Sequence, residues 1–308
     1  MGSENYVLAV DIGGTTIKMG VVNKSEVIDS TSIRNSFKGN FNELLPVITG
    51  IMNNYLNKYH INKMGIGCPG DIENGFLYFA SNLGWKNINV LKEFQKAFSN
   101  CEIKVENDGI AACNAERTYG RLKDVDNCVF VTIGKGIGGA LILDNKIVLG
   151  SHNFGGRFGH MVTKSGGRHC NCGRKGCFEA YGSISGLIKT VKEYNLKWTK
   201  KEEQIDIDKL SGYKILSYLK ENNPVAKEGV KRWHKDIAEG LLNICHMLDP
   251  KEIVIAGGVT ESELLDIEYI KKKMVKHGYG KCELSLANLK GKTGLVGAAS
   301  LFKKSSSL

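Results

Sequence analysis

No stretch of about eighteen uncharged apolar residues occurs in the 308-residue chain, so no helix is expected to span a membrane. A disulfide framework is missing too: nine cysteines, an odd number, are dispersed apart from one cluster, which fits a reducing cytoplasm. The first residues, Met1-Gly2-Ser3-Glu4-Asn5, carry an acid and lead into a strand-like run, unlike a signal peptide. A cytoplasmic location is therefore expected. Nor is there a basic stripe interleaved with aromatics: 42 Lys and Arg against 32 Asp and Glu, net +10, are scattered, with short clusters at Lys271-Lys272-Lys273 and Lys303-Lys304. Neither nucleic acid nor a membrane is expected as a partner. The positive balance suits an anionic small substrate or simply a soluble surface. With 42% apolar residues and this length, the chain has room for two domains of ordinary size, and no low-complexity linker separates them.

What the chain does have is concentrated near its middle. His160 is followed by Cys170-Asn171-Cys172-Gly173-Arg174-Lys175-Gly176-Cys177-Phe178-Glu179. One imidazole and three thiols suffice for a closed tetrahedral zinc shell, and Gly167, Gly173 and Gly176 let the backbone turn tightly around a small ion. Buried thiols or a redox pair are the alternative; the glycine spacing and the leading histidine favour structural Zn²⁺ held by His160, Cys170, Cys172 and Cys177. A closed shell leaves no position for a reacting water, so the metal is expected to shape a site, and to bind less well in acid. Glu179, two residues past the last thiol, is not needed by the metal, and its carboxylate is expected to be free for another ligand.

Along the chain, strands are expected over 6–10, 19–22 and 27–33, a helix over 41–59 and a strand over 64–68. A helix over 109–119 precedes a second meander at 128–133, 138–143 and 146–149, with a turn at Asp144-Asn145. Helices are expected over 178–194, 208–221, 225–248 and 262–275, with a buried strand at 252–256. Both halves open with a strand, a glycine turn and another strand, which suggests two similar α/β domains facing each other.

Three glycine turns follow strands: Asp11-Ile12-Gly13-Gly14-Thr15-Thr16, Gly134-Lys135-Gly136-Ile137-Gly138-Gly139 and Ala256-Gly257-Gly258-Val259. Backbone N–H groups bared by glycine can approach phosphate oxygens, with Thr15, Thr16 and Lys18 adding donors, and Asp11 can hold Mg²⁺ through water. Each alone reads as a structural turn; together they suggest a nucleotide clamp between two hairpins. Neither the Walker pattern nor the dinucleotide fingerprint is matched. Asp108 is the candidate general base, since phosphoryl transfer to an alcohol needs a carboxylate to orient and receive the hydroxyl proton; a helix N-cap is its alternative. Asn107, His160 and Glu179 offer the polar groups that a polyhydroxylated ring requires, with one His160 nitrogen on zinc and the other toward a hydroxyl. Asn82, in Ser81-Asn82-Leu83-Gly84-Trp85, is a further contact or a turn residue. The remaining histidines, His60, His152, His169, His234, His246 and His277, are assigned nothing.

With these residues placed, the chain resembles the ROK family of sugar kinases and sugar-responsive repressors across nearly its whole length, and within it the glucokinase-like, zinc-containing branch. The matching segments are Asp11-Ile12-Gly13-Gly14-Thr15-Thr16-Ile17-Lys18, Gly67-Cys68-Pro69-Gly70, Asn82-Leu83-Gly84-Trp85, Glu106-Asn107-Asp108 with Ala111-Ala112, Gly159-His160, the zinc cluster and Ala256-Gly257-Gly258. The resemblance implies an α/β, actin-like ATPase (ribonuclease H-like) fold, two α/β lobes with a cleft between them that close over ATP and a hexose. The small lobe is expected over 1–118, joined by a C-terminal helix over 293–308; the large lobe, with the zinc loop, over 119–292. ATP-dependent phosphorylation of a hexose, at its 6-hydroxyl, is implied, with Mg²⁺ and structural Zn²⁺ as cofactors. Asp108 is implied as base, with Asn107, His160 and Glu179 on the sugar, and a homodimer is expected. The repressor branch carries an extra N-terminal helix-turn-helix region, for which a phosphate motif starting at Asp11 leaves no room.

Two positions depart from the pattern. Lys135 stands where such kinases usually have threonine, and Arg157, before Phe158-Gly159-His160, where they usually have a glutamate that contacts the sugar's anomeric end. Lysine can still meet a phosphate as a point charge. Arg157 replaces an acceptor with donors only, which should reject sugars that need the acceptor. The expectations are a changed substrate, such as an N-acylated, anionic or glycosylated hexose (N-acetylmannosamine, a β-glucoside), or a catalytically impaired sugar-binding sensor.

Overall fold

A computed structural model describes residues 6–37, 39–80 and 82–303. The expectations for Met1 to Asn5, Ser81, Lys304 and the end of the 293–308 helix lie outside the described residues. The described chain divides into two compact units, one of residues 6–125, 147–155 and 291–303, the other of Asp126–Lys146 and Gly156–Lys290. The first boundary thus falls at 125/126 where 118/119 was expected, and 147–155 goes with the first unit.

In the first unit, β1 (Tyr6–Ile12), β2 (Thr16–Asn23) and β3 (Glu26–Arg34) form the expected meander. α1 (Phe41–Tyr59) follows, begun by Asn40, whose side chain accepts from Glu43 N–H, and ended by left-handed His60. Phe41, Leu44, Ile48 and Met52 recur at helical spacing and are its buried stripe. β4 (Lys63–Cys68) is followed by three short strands, β5 (Asp71–Glu73), β6 (Phe76–Ala80) and β7 (Trp85–Asn89), which make a small antiparallel sheet. α2 (Val90–Ala97), β8 (Glu102–Asn107) and α3 (Asp108–Tyr119) complete the run. The main sheet has the order β3-β2-β1-β4-β8, with β4 and β8 parallel to β1. Asp11 pairs with Gly67, and Gly67 and Cys68 with Glu106 and Asn107. The register therefore brings Asp11, Cys68, Asn107 and Asp108 to the carboxyl ends of three adjacent parallel strands, where α/β sheets place ligands.

The second unit repeats the plan. β9 (Cys128–Ile133) and β10 (Ile137–Leu143) come first, and the two-residue β11 (Lys146–Ile147) falls on the chain boundary between the units. Then follow α4 (Glu179–Gly182), α5 (Ile184–Lys197), α6 (Gly212–Lys220) and α7 (Pro224–Leu248). β12 (Glu252–Ala256), α8 (Ile267–Lys276) and β13 (Glu283–Leu286) close it. The sheet order β11-β10-β9-β12-β13 matches that of the first unit. All five residues of β12 are buried, as a strand covered on both faces requires.

Two expected helices are corrected. The one over 178–194 breaks at Ser183, which is extended and whose Oγ accepts from Gly186 N–H at 3.0 Å to start α5. Buried Trp233 stabilises the break, its indole N–H donating to the carbonyls of Gly182 and Ser183 at 2.8 and 3.2 Å. The helix expected from 262 starts at Ile267, where Asp266 caps Tyr269 N–H, because 258–261 is a short 3₁₀ turn instead. Finally α9 (Thr293–Ser300) belongs to the first unit, its Gly297 against Ala111 of α3 and its Ala298 carbonyl against Gly65 of β4. It ends at Ser300, before the last described residue, Lys303.

Candidate functional site

The first unit gathers its candidates at the sheet's carboxyl ends. Asp11 closes β1, and its carboxyl is pushed up to about 6, chiefly by burial, then by the charge of Asp108, with Lys18 opposing. Lys18 faces Asp11 across the β1–β2 register but its Nζ donates to the Gly291 carbonyl at 3.1 Å, so its charge only partly compensates Asp11. Gly294 in the first turn of α9 has no room for a Cβ because the Asp11 carboxylate fills that space. Burial also raises the Asp108 carboxyl, against hydrogen bonds from Gly109 and its own N–H.

Asp108 is not the cap of α3. Asn107 is: its Oδ1 accepts from Gly109 and Ile110 N–H at 2.9 and 3.2 Å, and its Nδ2 donates to the Gly70 carbonyl at 2.9 Å. Asn107 therefore keeps one amide N–H for a ligand, while Asp108 shares only the Gly109 N–H, through Oδ1 at 2.9 Å, and does not hold the cap position. The glycine turn is closed by Gly13 N–H donating to Thr16 O at 3.0 Å, with Thr15 and Thr16 exposed. Asn82 is exposed in the turn that Leu83 and Gly84 N–H make on Ala80 O, and its Cβ lies beside Gly14.

Three groups here escaped the sequence reading. Asn35 is 6% exposed; its Nδ2 donates to Gly13 O at 2.8 Å and its N–H to Thr15 O at 2.8 Å, stapling the glycine turn. Glu106, itself raised by burial, accepts from Asn107 N–H at 2.8 Å. The Cys68 thiol is fully buried and held far from ionisation, first by burial and then by Asp108 and Asp11. For Cys68 it is the pairing of β4 with β1 and β8 that sets the thiol beside the two acids.

In the second unit, the ligand atoms of His160, Cys170, Cys172 and Cys177 all lie within 4.8 Å of one another. His160 Nδ1 approaches Cys170 Sγ at 3.7 Å and Cys172 Sγ approaches Cys177 Sγ at 3.6 Å. Tetrahedral zinc with bonds of about 2.0–2.3 Å sets ligand edges of roughly 3.5–3.8 Å, so the donor set fits the ion. Because Nδ1 is the nitrogen turned to the thiols, Nε2 is the one left for another partner. Gly173 and Gly176, at φ +90° and +82°, make the turns that bring the thiols together. Arg157 is exposed immediately before the Phe158–His160 3₁₀ turn; partial burial of its guanidinium lowers its proton affinity, and the charge of Cys172 opposes this.

Glu179 differs from expectation. Its carboxylate is not free: Oε2 accepts from Ile137 N–H at 2.9 Å and occupies the space of a Gly136 Cβ, while Oε1 lies 3.7 Å from Cys170 Sγ. The short α4 starts at Glu179 and points this carboxylate back at the 134–136 turn, a consequence of tertiary packing. Gly134 and Gly136 are half-buried and Lys135 exposed. Gly257, at φ +92°, has the Ile133 backbone where its Cβ would stand, and Gly258 faces open space. Since β12 runs parallel to β9 with Ala256 opposite Thr132, the second and third glycine turns are neighbours.

Comparison with known proteins gives this geometry a context. The family model described as the ROK family matches residues 7–305. A glucokinase of Halalkalibacterium halodurans is 27% identical over 318 residues, covering 98% of this chain and 96% of its own length. A ROK family glucokinase from Streptomyces griseus, solved with glucose and AMPPNP, superposes with a TM-score of 0.85 at 26% identity, covering 96% of this chain and 98% of its own. A Listeria monocytogenes protein described as a putative N-acetylmannosamine kinase gives a TM-score of 0.79 at 25% identity, covering 96% and 97%.

Proposed function

The chain belongs to the ROK family, and on that premise we propose that it transfers the terminal phosphoryl group of ATP to a hydroxyl of a hexose, the 6-hydroxyl. The observation that carries the reading is Asp108: a desolvated carboxylate at the carboxyl end of a parallel strand, with the cap of α3 already supplied by Asn107. The relatives described as glucokinases support it.

Asp108 accepts the hydroxyl proton as the sugar oxygen forms its bond to the terminal phosphorus. The bond from that phosphorus to the bridging oxygen breaks and ADP leaves. The remaining Asn107 amide N–H, Asn82 and His160 Nε2 are the groups proposed to orient the ring, joined by Glu179 through Oε1, the oxygen that Ile137 N–H does not hold. The exposed N–H groups and hydroxyls of 13–16, Lys135, and the bare backbone at Gly257 and Gly258 are proposed to hold the nucleotide.

Mg²⁺ fits at Asp11, a buried carboxylate that feels the charge of Asp108 and is only partly offset by Lys18, whose Nζ also bonds Gly291 O. Bound there through water, it would neutralise phosphate charge. Zn²⁺ fits the His160, Cys170, Cys172 and Cys177 set, where it would crosslink the loop that carries His160 and Glu179.

Arg157 bears on the choice of sugar. Five N–H donors and no acceptor at that position favour a hexose carrying an acyl, anionic or glycosidic substituent over plain glucose. A coupled ADP-release screen with glucose, mannose, N-acetylmannosamine, N-acetylglucosamine and β-glucosides tests both levels. Turnover with at least one sugar, abolished by Asp108→Asn, is expected; ADP release no greater than that of Asp108→Asn for every sugar would overturn the kinase reading. Efficient turnover of unmodified glucose would overturn the role given to Arg157.

A further inference from the structure

The 134–136 turn is held from outside by the stretch that begins two residues after the last thiol of the metal cluster. Ile137 N–H donates to Glu179 Oε2 at 2.9 Å, Ile184 N–H donates to Gly134 O at 2.9 Å, and Ser185 Oγ–H donates to Lys135 O at 2.7 Å. Inside the turn, Gly134 N–H closes on Gly136 O at 2.9 Å. The fastening stretch is itself rigid: Ser183 caps α5, and Trp233 takes the carbonyls of Gly182 and Ser183. At its other end it is continuous with Cys177, whose neighbour Phe178 is fully buried and donates its N–H to Met161 O at 2.7 Å. Glu179 sits at the junction, with one oxygen on the turn and the other 3.7 Å from Cys170 Sγ.

We propose that the stretch 179–185 is a clamp through which the metal knuckle fixes the shape of the 134–136 turn, making Glu179 and Ser185 positioning residues for the nucleotide held there. This rests on the proposed function, which reads that turn as a nucleotide site. A turn built of Gly134 and Gly136 has little shape of its own, because glycine leaves the backbone many conformations. Three hydrogen bonds from one anchored segment remove that freedom before any ligand arrives, and pre-organisation of this kind appears as affinity. Linkage then requires the reverse: nucleotide on the turn must tighten the hold on the metal by the same factor.

Two measurements test it. Hydrogen exchange at the Ile137 and Ile184 amides should accelerate about ten-fold when zinc is stripped, a readout that needs no nucleotide. Calorimetric titration with AMPPNP should show affinity falling about three- to ten-fold for Ser185→Ala, the worth of one hydrogen bond. Zinc content should stay at the wild-type level, and Ser185→Thr, which keeps the hydroxyl, should restore binding. AMPPNP binding unchanged both by zinc removal and by Ser185→Ala overturns the clamp and leaves the kinase reading standing. Equal weakening by Ser185→Thr and Ser185→Ala marks a packing effect and overturns it as well. No AMPPNP binding by zinc-loaded wild type overturns the clamp and the nucleotide reading together.

Discussion

Asp11 is held in the folded chain at about 6 against an ordinary 3.8, so the native state binds its proton more tightly than the unfolded state does. Stability from this group is greatest below 3.8, falls as pH rises between the two values, and its full cost, on the order of 3 kcal/mol, is present above 6. Asp11→Asn should therefore raise the melting temperature of the ligand-free protein above pH 6, with the gain vanishing below 3.8. An unchanged melting temperature at neutral pH would contradict this. Asp108 carries the second residue-level prediction: Asp108→Asn should cost turnover about 10²–10⁴-fold while sugar still binds. The Asp108 carboxyl is raised from 3.8, so kcat/KM should fall as pH drops while still above that value. A profile flat down to 3.8 would argue for another base. Asp108 was legible as a candidate from Glu106-Asn107-Asp108 before a helical run. That Asn107 does the capping was not, because either residue can cap and only the backbone angles at the strand end choose between them.

Helix α9 packs on β4 so closely that the Ala298 carbonyl takes the place a Cβ would need at Gly65. Gly65→Ala should destabilise by about 1–3 kcal/mol, read as an earlier denaturant midpoint with an unchanged slope. A variant as stable as wild type would mean the helix moves aside freely. Elements with strong local signals were readable from the chain: α1 was expected, from its helical apolar spacing, over the residues it occupies. The small sheet of β5, β6 and β7 went unread because its strands are three to five residues long, too short for a period to register. The break between α4 and α5 went unread because the helical period continues through Ser183, and it is Trp233, fifty residues downstream, that stabilises the break.

Each unit has its own apolar core, one built on residues such as Leu8, Ile66 and Phe94 and the other on Val131, Phe178 and Trp233. Phe178 stands next to Cys177 of the proposed zinc site and is wholly buried in the second core. Stripping zinc should therefore lower and broaden the calorimetric unfolding of the second unit, with β1 and β4 amides of the first unit keeping their exchange protection. Equal loss of protection in both units would refute separate cores. Residue types at short spacing sufficed for the ROK membership and the α/β class, and they singled out the His160, Cys170, Cys172 and Cys177 group that the fold brings together. The tertiary structure alone decided that Glu179 serves the 134–136 turn, that Asn35 staples the 13–16 turn, and that Cys68 lies buried beside two carboxyls. Those contacts join residues far apart in the chain, and the strand register and helix packing that create them follow from which apolar faces bury together.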